Sequence, residues 1–203
     1  MRCFVSVPVP EEAREHLDEY LETRRMAESS LRWSDPDRWH VTLAFMPDVA
    51  EVNLDELGER LEAACARRSP FTMGIRGGGV FGDVFAARVL WAGLALTGED
   101  SEELNRISVG ARHAAAAAGA VVEGGEFVPH LTVARSSRPR DLRHLLDVLD
   151  LYEGPPWRVE NIDLVVSHLG SGAVRHEVLD TYSLGRPDRD EDVAWWRRGY
   201  LSR

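Results

Sequence analysis

Lysine is missing altogether: every one of the 24 basic residues is arginine. A Schiff-base lysine, a phosphate-loop lysine and a nucleotidyl-lysine intermediate are all impossible, which excludes an ATP-dependent ligase working through an adenylated lysine. Cysteine is scarce. Cys3 and Cys65 form no C-x-x-C pair and no Cys/His cluster, so neither a zinc site nor a disulfide framework is indicated. No apolar run reaches the roughly 18 residues that a membrane-spanning helix needs. The opening Met1-Arg2-Cys3-Phe4-Val5-Ser6-Val7-Pro8 is broken by Pro8 and Pro10 too early for a secretory signal, so the expected setting is reduced and cytoplasmic. H-E-x-x-H and G-x-S-x-G are absent, which removes a zinc-hydrolase and a serine-hydrolase signature. Positive charge is short as well. With 34 acids the net charge is −10, which argues against a sequence-blind binder of extended duplex nucleic acid but leaves room for a small nucleotide pocket.

What the chain does have is a repeated pentapeptide, His40-Val41-Thr42-Leu43-Ala44 and His130-Leu131-Thr132-Val133-Ala134. In a β-strand, residues i and i+2 share a face. Each copy therefore presents one imidazole beside one hydroxyl, with Val41/Leu43 and Leu131/Val133 facing the other way. Seven His and six Thr in 203 residues give roughly 0.2 His-x-Thr triplets by chance, and two only about one time in fifty. One copy is weak evidence. The pair predicts a pocket holding two histidines and two threonines.

The length suits one domain or two small lobes. Periodicity predicts strands over 3–9, 39–45, 71–76, 88–96, 126–135, 158–169 and 174–184. Helices are expected over 10–27, from Asn53 as N-cap through Cys65, over 99–118 and over 140–151. Leu31 to Arg38 reads as a connection, and Gly77-Gly78-Gly79 as a turn or bulge. The class is α+β with antiparallel or mixed sheets, as two pseudo-symmetric lobes facing a central cleft with helices outside. Residues 1–185 form this bilobal domain, and 186–203 a charged tail containing Trp195 and Trp196.

Two histidines across a cleft make a general acid–base couple, because an imidazole near pKa 6.5 works in either form at neutral pH. Threonine hydroxyls can donate to non-bridging phosphate oxygens without a metal. The combination fits in-line attack on a phosphodiester, with no cofactor.

At these residues the sequence resembles the two-histidine phosphoesterase superfamily, and within it the RNA 2′,3′-cyclic phosphodiesterase (2′-5′ RNA ligase) family. The landmarks run in order: the Pro-Glu-Glu helix start, Arg32-Trp33, His40-Val41-Thr42-Leu43, Pro70-Phe71, Arg88-Val89-Leu90-Trp91-Ala92-Gly93, Phe127 through Arg135, and Leu164-Val165-Val166-Ser167. The resemblance implies metal-independent opening of a 2′,3′-cyclic phosphate to a 2′-phosphomonoester, with ATP-independent 2′-5′ ligation as a companion reaction. By position His40 would protonate the leaving 3′ oxygen, His130 would activate water, and Thr42 and Thr132 would hold phosphate oxygens. The expected partners are RNA ends or nucleotides bearing a 2′,3′-cyclic phosphate, met by a monomer.

Some residues carry two readings. The chain has Ala44-Phe45-Met46-Pro47 where the family often has a basic residue and Phe-Leu-Gly. Arg135 is a phosphate contact or a structural ion pair, since strand parity places it opposite His130 and Thr132 unless the strand bulges. Phe127, Trp33 and Tyr182 are candidates to stack a base or to fill the core. His16, His113, His144 and His176 are expected on the surface, while His168 could reach the cleft. A nucleotide sensor using the same pocket, and a phosphodiesterase for 2′-5′ linked or other small cyclic phosphodiesters, are the alternatives.

Overall fold

The first strand is apolar apart from Ser6, so neither of its faces can be left to water. In the computed structural model, which describes residues 1–168 and 174–185, β1 (Cys3–Pro8) lies inside a sheet with Cys3 to Val7 all buried. The tail 186–203, with Trp195 and Trp196, lies outside the described residues, as does the expected turn at Gly170-Ser171-Gly172. The chain continues through α1 (Glu11–Ala27), β2 (Arg32–Trp33), β3 (His40–Met46), α2 (Leu54–Cys65), β4 (Phe71–Val80), β5 (Ala87–Ala95) and α3 (Gly98–Ala117). It ends in β6 (Leu131–Arg140), α4 (Arg143–Asp150), β7 (Trp157–Val159), β8 (Asn161–His168) and β9 (Arg175–Ser183).

The strands form two sheets, β3-β1-β8-β9 and β2-β6-β5-β4-β7, with every described pairing antiparallel. Each His-x-Thr strand therefore sits beside the strand that precedes its crossover helix: β1-α1-β3 in one lobe, β5-α3-β6 in the other. The expected two-lobed α+β fold is what the chain adopts.

The helices are exchanged between the lobes. Ala13, Leu17 and Leu21 of α1 follow a β1 that belongs to the first sheet, yet they pack with Ile75, Leu90, Leu131 and α4 under the second. Leu104, Ile107, Ala111 and Ala115 of α3 follow β5 of the second sheet, yet they pack with Val5, Val41, Leu43 and α2 under the first. The charges on α1 suit its dipole, with Glu11 and Glu12 in the first turn and Arg24 and Arg25 in the last. Thr97 caps α3 by accepting from the Asp100 amide.

Four expectations need correction. The second motif strand begins at Leu131 rather than at 126 and runs on to Arg140, since Gly124, Gly125 and Pro129 break the apolar run ahead of it. The stretch 158–169 is two strands, β7 pairing with β4 and β8 with β1 and β9. The segment 31–38 holds the short β2, which extends the second sheet beyond β6. Asn53 does not cap with its side chain, because its backbone is already helical after the 3-10 turn Glu51–Asn53.

Strand β4 runs through its glycines, with a shift in register between Ile75 and Gly78. Gly77 sits at φ +65, a conformation glycine adopts freely. Gly79 is needed for space: a Cβ there would overlap the six-membered ring of Trp91. Gly79→Ala should therefore cost about 1–3 kcal/mol of stability by overpacking, read as a lower denaturation midpoint at unchanged m-value. An unchanged midpoint would show that the Trp91 ring has room to move.

Candidate active site

Both motif strands carry a bulge at the same place. Val5 pairs with Ala44 and Ser6 with Thr42, leaving Leu43 as the extra residue. Leu90 pairs with Ala134 and Trp91 with Thr132, leaving Val133. A bulge shifts the alternation by one, so the next cleft-facing residue is Phe45 in the first copy and Arg135 in the second. This resolves the parity conflict at Arg135, which lines the cavity. The bulged residues' carbonyls are not orphaned. Leu43 O accepts from the Ser108 hydroxyl of α3 at 2.7 Å, and Val133 O accepts from the Ser34 amide at 2.9 Å.

The cavity, about 390 Å³, lies between the two sheets and is lined by His40, Thr42, His130, Thr132 and Arg135 together. His40 Nδ1 donates to the Arg38 carbonyl at 2.7 Å, and His130 Nδ1 to the Val128 carbonyl at 2.7 Å. A carbonyl can only accept, so each Nδ1 carries the hydrogen and each Nε2 is left for the cavity. Neither threonine hydroxyl has a hydrogen-bond partner among the described residues. Aromatic rings back both imidazoles. Phe4 stacks on His40 with centroids 4.5 Å apart, while Phe81 meets His130 edge-on at 4.8 Å, with Trp91 at 6.0 Å.

That packing has an electrostatic consequence. Burial pushes the His40 pKa down to about 4, opposed by the Arg38 carbonyl and reinforced by His176, His130 and Arg135. His130 is also pushed down, by burial first and then by Arg135. Both shifts favour the neutral imidazole at pH 7.

Sequence reasoning missed His176. It lies on β9 opposite Ser167, lines the cavity, and meets His40 and Phe4 edge-on, with ring centroids 5.4 Å and 5.0 Å apart. Burial, Arg38 and Arg2 lower its pKa. Its one sequence signal is that it shares a strand face with Val174; alternation alone does not say which face meets the cleft. His168, whose position in sequence could bring it to the cleft, instead pairs with Glu177 at 2.8 Å on the exposed side. Of the aromatic candidates Trp33 lines the cleft, its indole donating to the Glu28 carbonyl. Tyr182 is core and Phe127 packs against it. Arg2, Arg32 and Arg38 complete the basic lining. His16 is held by the Tyr152 hydroxyl and His144 by Glu28, both away from the cavity.

Two antiparallel lobes, each contributing a bulged His-x-Thr strand to one cleft, define the class of bilobal two-histidine proteins. The chain belongs to the 2′-5′ RNA ligase superfamily, whose pattern matches residues 9–171. It is 30% identical over 193 residues to an RNA 2′,3′-cyclic phosphodiesterase of Methanothermobacter thermautotrophicus, covering 91% of this chain and 99% of that one. A second such phosphodiesterase, of Thermus thermophilus, is 30% identical over 200 residues, with 91% and 90% covered. Among solved structures the fold is similar to that of E. coli LigT in apo form, with TM-score 0.72, 21% identity, and 91% and 98% of the two chains covered. No helix among the described residues is long and apolar enough to cross a membrane.

The lowered His40 pKa predicts a pH dependence of stability. An unfolded histidine takes its proton near pH 6.5, whereas His40 in the fold resists until about pH 4. Between those values the unfolded chain binds more protons, so stability rises with pH and is lost on acidification. At about 1.4 kcal/mol per pKa unit the full effect is about 3.5 kcal/mol, of which about 3 kcal/mol is lost by pH 4. Chemical denaturation across pH 7 to 4 should show His40→Asn losing that much less stability than wild type. Parallel curves would overturn the assignment of the proton linkage to His40.

Proposed function

We propose that residues 1–185 form an RNA 2′,3′-cyclic phosphodiesterase that opens the ring to a 2′-phosphomonoester by His/His acid–base catalysis, without a metal ion. The observation that carries this reading is the pair of Nδ1-anchored imidazoles, each left with a free Nε2 and a free threonine hydroxyl beside it in one cavity. The relatives named as RNA 2′,3′-cyclic phosphodiesterases support the substrate class.

In this mechanism His130 Nε2 takes a proton from water as the water oxygen attacks phosphorus in line. The P–O3′ bond breaks, and protonated His40 gives its proton to the leaving 3′ oxygen. Thr42 and Thr132 donate to the non-bridging oxygens, where charge builds. His40 must be protonated to act, and the bound phosphodiester anion favours this by placing a negative charge beside an imidazole whose pKa is lowered first by burial and then by neighbouring positive groups. Turnover leaves His40 neutral and His130 charged, so one proton returns through solvent before the next cycle. A 5′-hydroxyl in place of water would join two ends by a 2′-5′ linkage through the same bond changes, with no ATP.

The test is turnover of a nucleoside 2′,3′-cyclic phosphate in EDTA, separating 2′- from 3′-monophosphate. Exclusive 2′ product is expected, with kcat falling about 10²–10⁴-fold in His40→Ala and in His130→Ala. Thr42→Val and Thr132→Val should each cost about 10²-fold. Tight binding without turnover by wild type would overturn the hydrolase reading for that substrate and favour a nucleotide sensor.

A further inference from the structure

The last described residues are pinned beside a second cavity. Leu184 packs in the core under the first sheet, with its amide donating to the Glu160 carbonyl, and the Gly185 amide donates to the Cys65 carbonyl at 3.0 Å. Gly185 therefore lies against the C-terminal end of α2, where a Cβ on it would come 3.5 Å from the Arg68 carbonyl. Cys65 and Arg68 also line a groove of about 360 Å³ between α2 and α3. Its floor holds Cys65, Ile107 and Ile162, each at most 2% exposed, while Val109 lines it from a position that is 51% exposed. Arg67, Arg68 and Arg106 supply its charge, and no carboxylate lines it. Glu103 lies within 4 Å of Arg68 and Arg106, and Glu102 within 3 Å of Arg106, while Arg67 pairs with no carboxylate among the described residues.

The sequence that follows Gly185 has the complementary chemistry. Four acids, Asp188, Asp190, Glu191 and Asp192, stand just ahead of Trp195-Trp196. Each indole has up to about 250 Å² to remove from water, and an apolar hollow lined by Ile107, Ile162 and Val109 gains by being covered. Ten residues separate Gly185 from Trp195, a coil distance of about 17 Å, whereas the groove begins at the residues that Gly185 itself touches. Tethering over that distance gives an effective concentration in the millimolar range, so even a weak contact is filled.

We propose that residues 186–203 of the same chain cover the groove between α2 and α3, with an indole of Trp195-Trp196 seated over Cys65, Ile107 and Ile162 and the acids of 188–192 beside Arg67. The groove shares no lining residue with the two-histidine cleft, so this docking stands apart from the hydrolase reading.

The full chain with the photoreactive residue benzoylphenylalanine in place of Val109 tests it. Irradiation at micromolar protein should join residue 109 to the tryptic peptide 190–197 of the same molecule, read by mass spectrometry. In an equimolar mixture of unlabelled and isotope-labelled protein the linked pairs should be unmixed. Mixed pairs would give the groove to a second copy and overturn docking within one chain, and so would the absence of any link to 190–197. A second measurement uses thermal unfolding of full-length variants. Trp195→Ser/Trp196→Ser should lower Tm by about 4–8 °C, as expected for removal of a buried aromatic anchor from a chain of this size. Val109→Glu should lower Tm further in wild type than in the tryptophan variant, where the groove has already lost its cover. An unchanged Tm without the tryptophans, or equal losses from Val109→Glu in both backgrounds, would overturn the proposal.

Discussion

The site depends on two short hydrogen bonds, each from an imidazole Nδ1 to the carbonyl two residues earlier in the chain. Because the acceptor is a carbonyl, the bond settles the tautomer as well as the ring orientation. Both nitrogens that can exchange protons with a ligand are thereby aimed into one cavity. The aromatic rings behind them, Phe4 on one side and Phe81 with Trp91 on the other, exclude water and raise the cost of charging the imidazoles. The same packing that orients His40 therefore also favours its neutral form.

The bulges at Leu43 and Val133 extend this arrangement. A regular strand would turn Phe45 and Arg135 into the helices; one extra residue turns them into the cleft. The energetic problem of a bulge is its unpaired backbone, and here each lobe answers with a different donor, Ser108 from an exchanged helix and Ser34 just after the short edge strand. The lobes are alike in backbone geometry and unlike in the side chains that support it. The result is one cleft with an aromatic rim on the Phe45 side and a guanidinium on the Arg135 side.

The duplicated His-x-Thr was legible because side-chain alternation in a strand is a strict period, and the apolar faces of α1 and α3 were legible for the same reason at period 3.6. Leu17 and Leu104 were bound to be buried; what they would be buried against was not. Periodicity names the apolar face of a helix but not the sheet beneath it, so the exchange of α1 and α3 between lobes left no trace in the pattern. The bulges were equally silent, since Leu43 and Val133 are ordinary strand residues with no glycine or proline to mark them. His176 and Arg2 reach the cleft through pairings, β9 to β8 and β1 to β3, that join distant parts of the chain. The start of β6 was misplaced because Phe127 and Val128 are as apolar as a strand, while Pro129 decides the backbone.

The exchanged helices and the position of β1 also govern the order in which the molecule can be assembled. β1 is made before the other strands described, but one of its two neighbours is β8, Asn161–His168. Its crossover helix, meanwhile, must wait for β4 to β6 before it has a sheet to lie on. The first lobe cannot close until β8 has been made, and neither lobe is a finished unit that could fold ahead of the other. Such long-range closure slows folding and prolongs the exposure of unpaired strand edges. His40 and His130 thus come to face one cleft only once β8 has joined the first sheet, and a chain truncated before it has no such cleft.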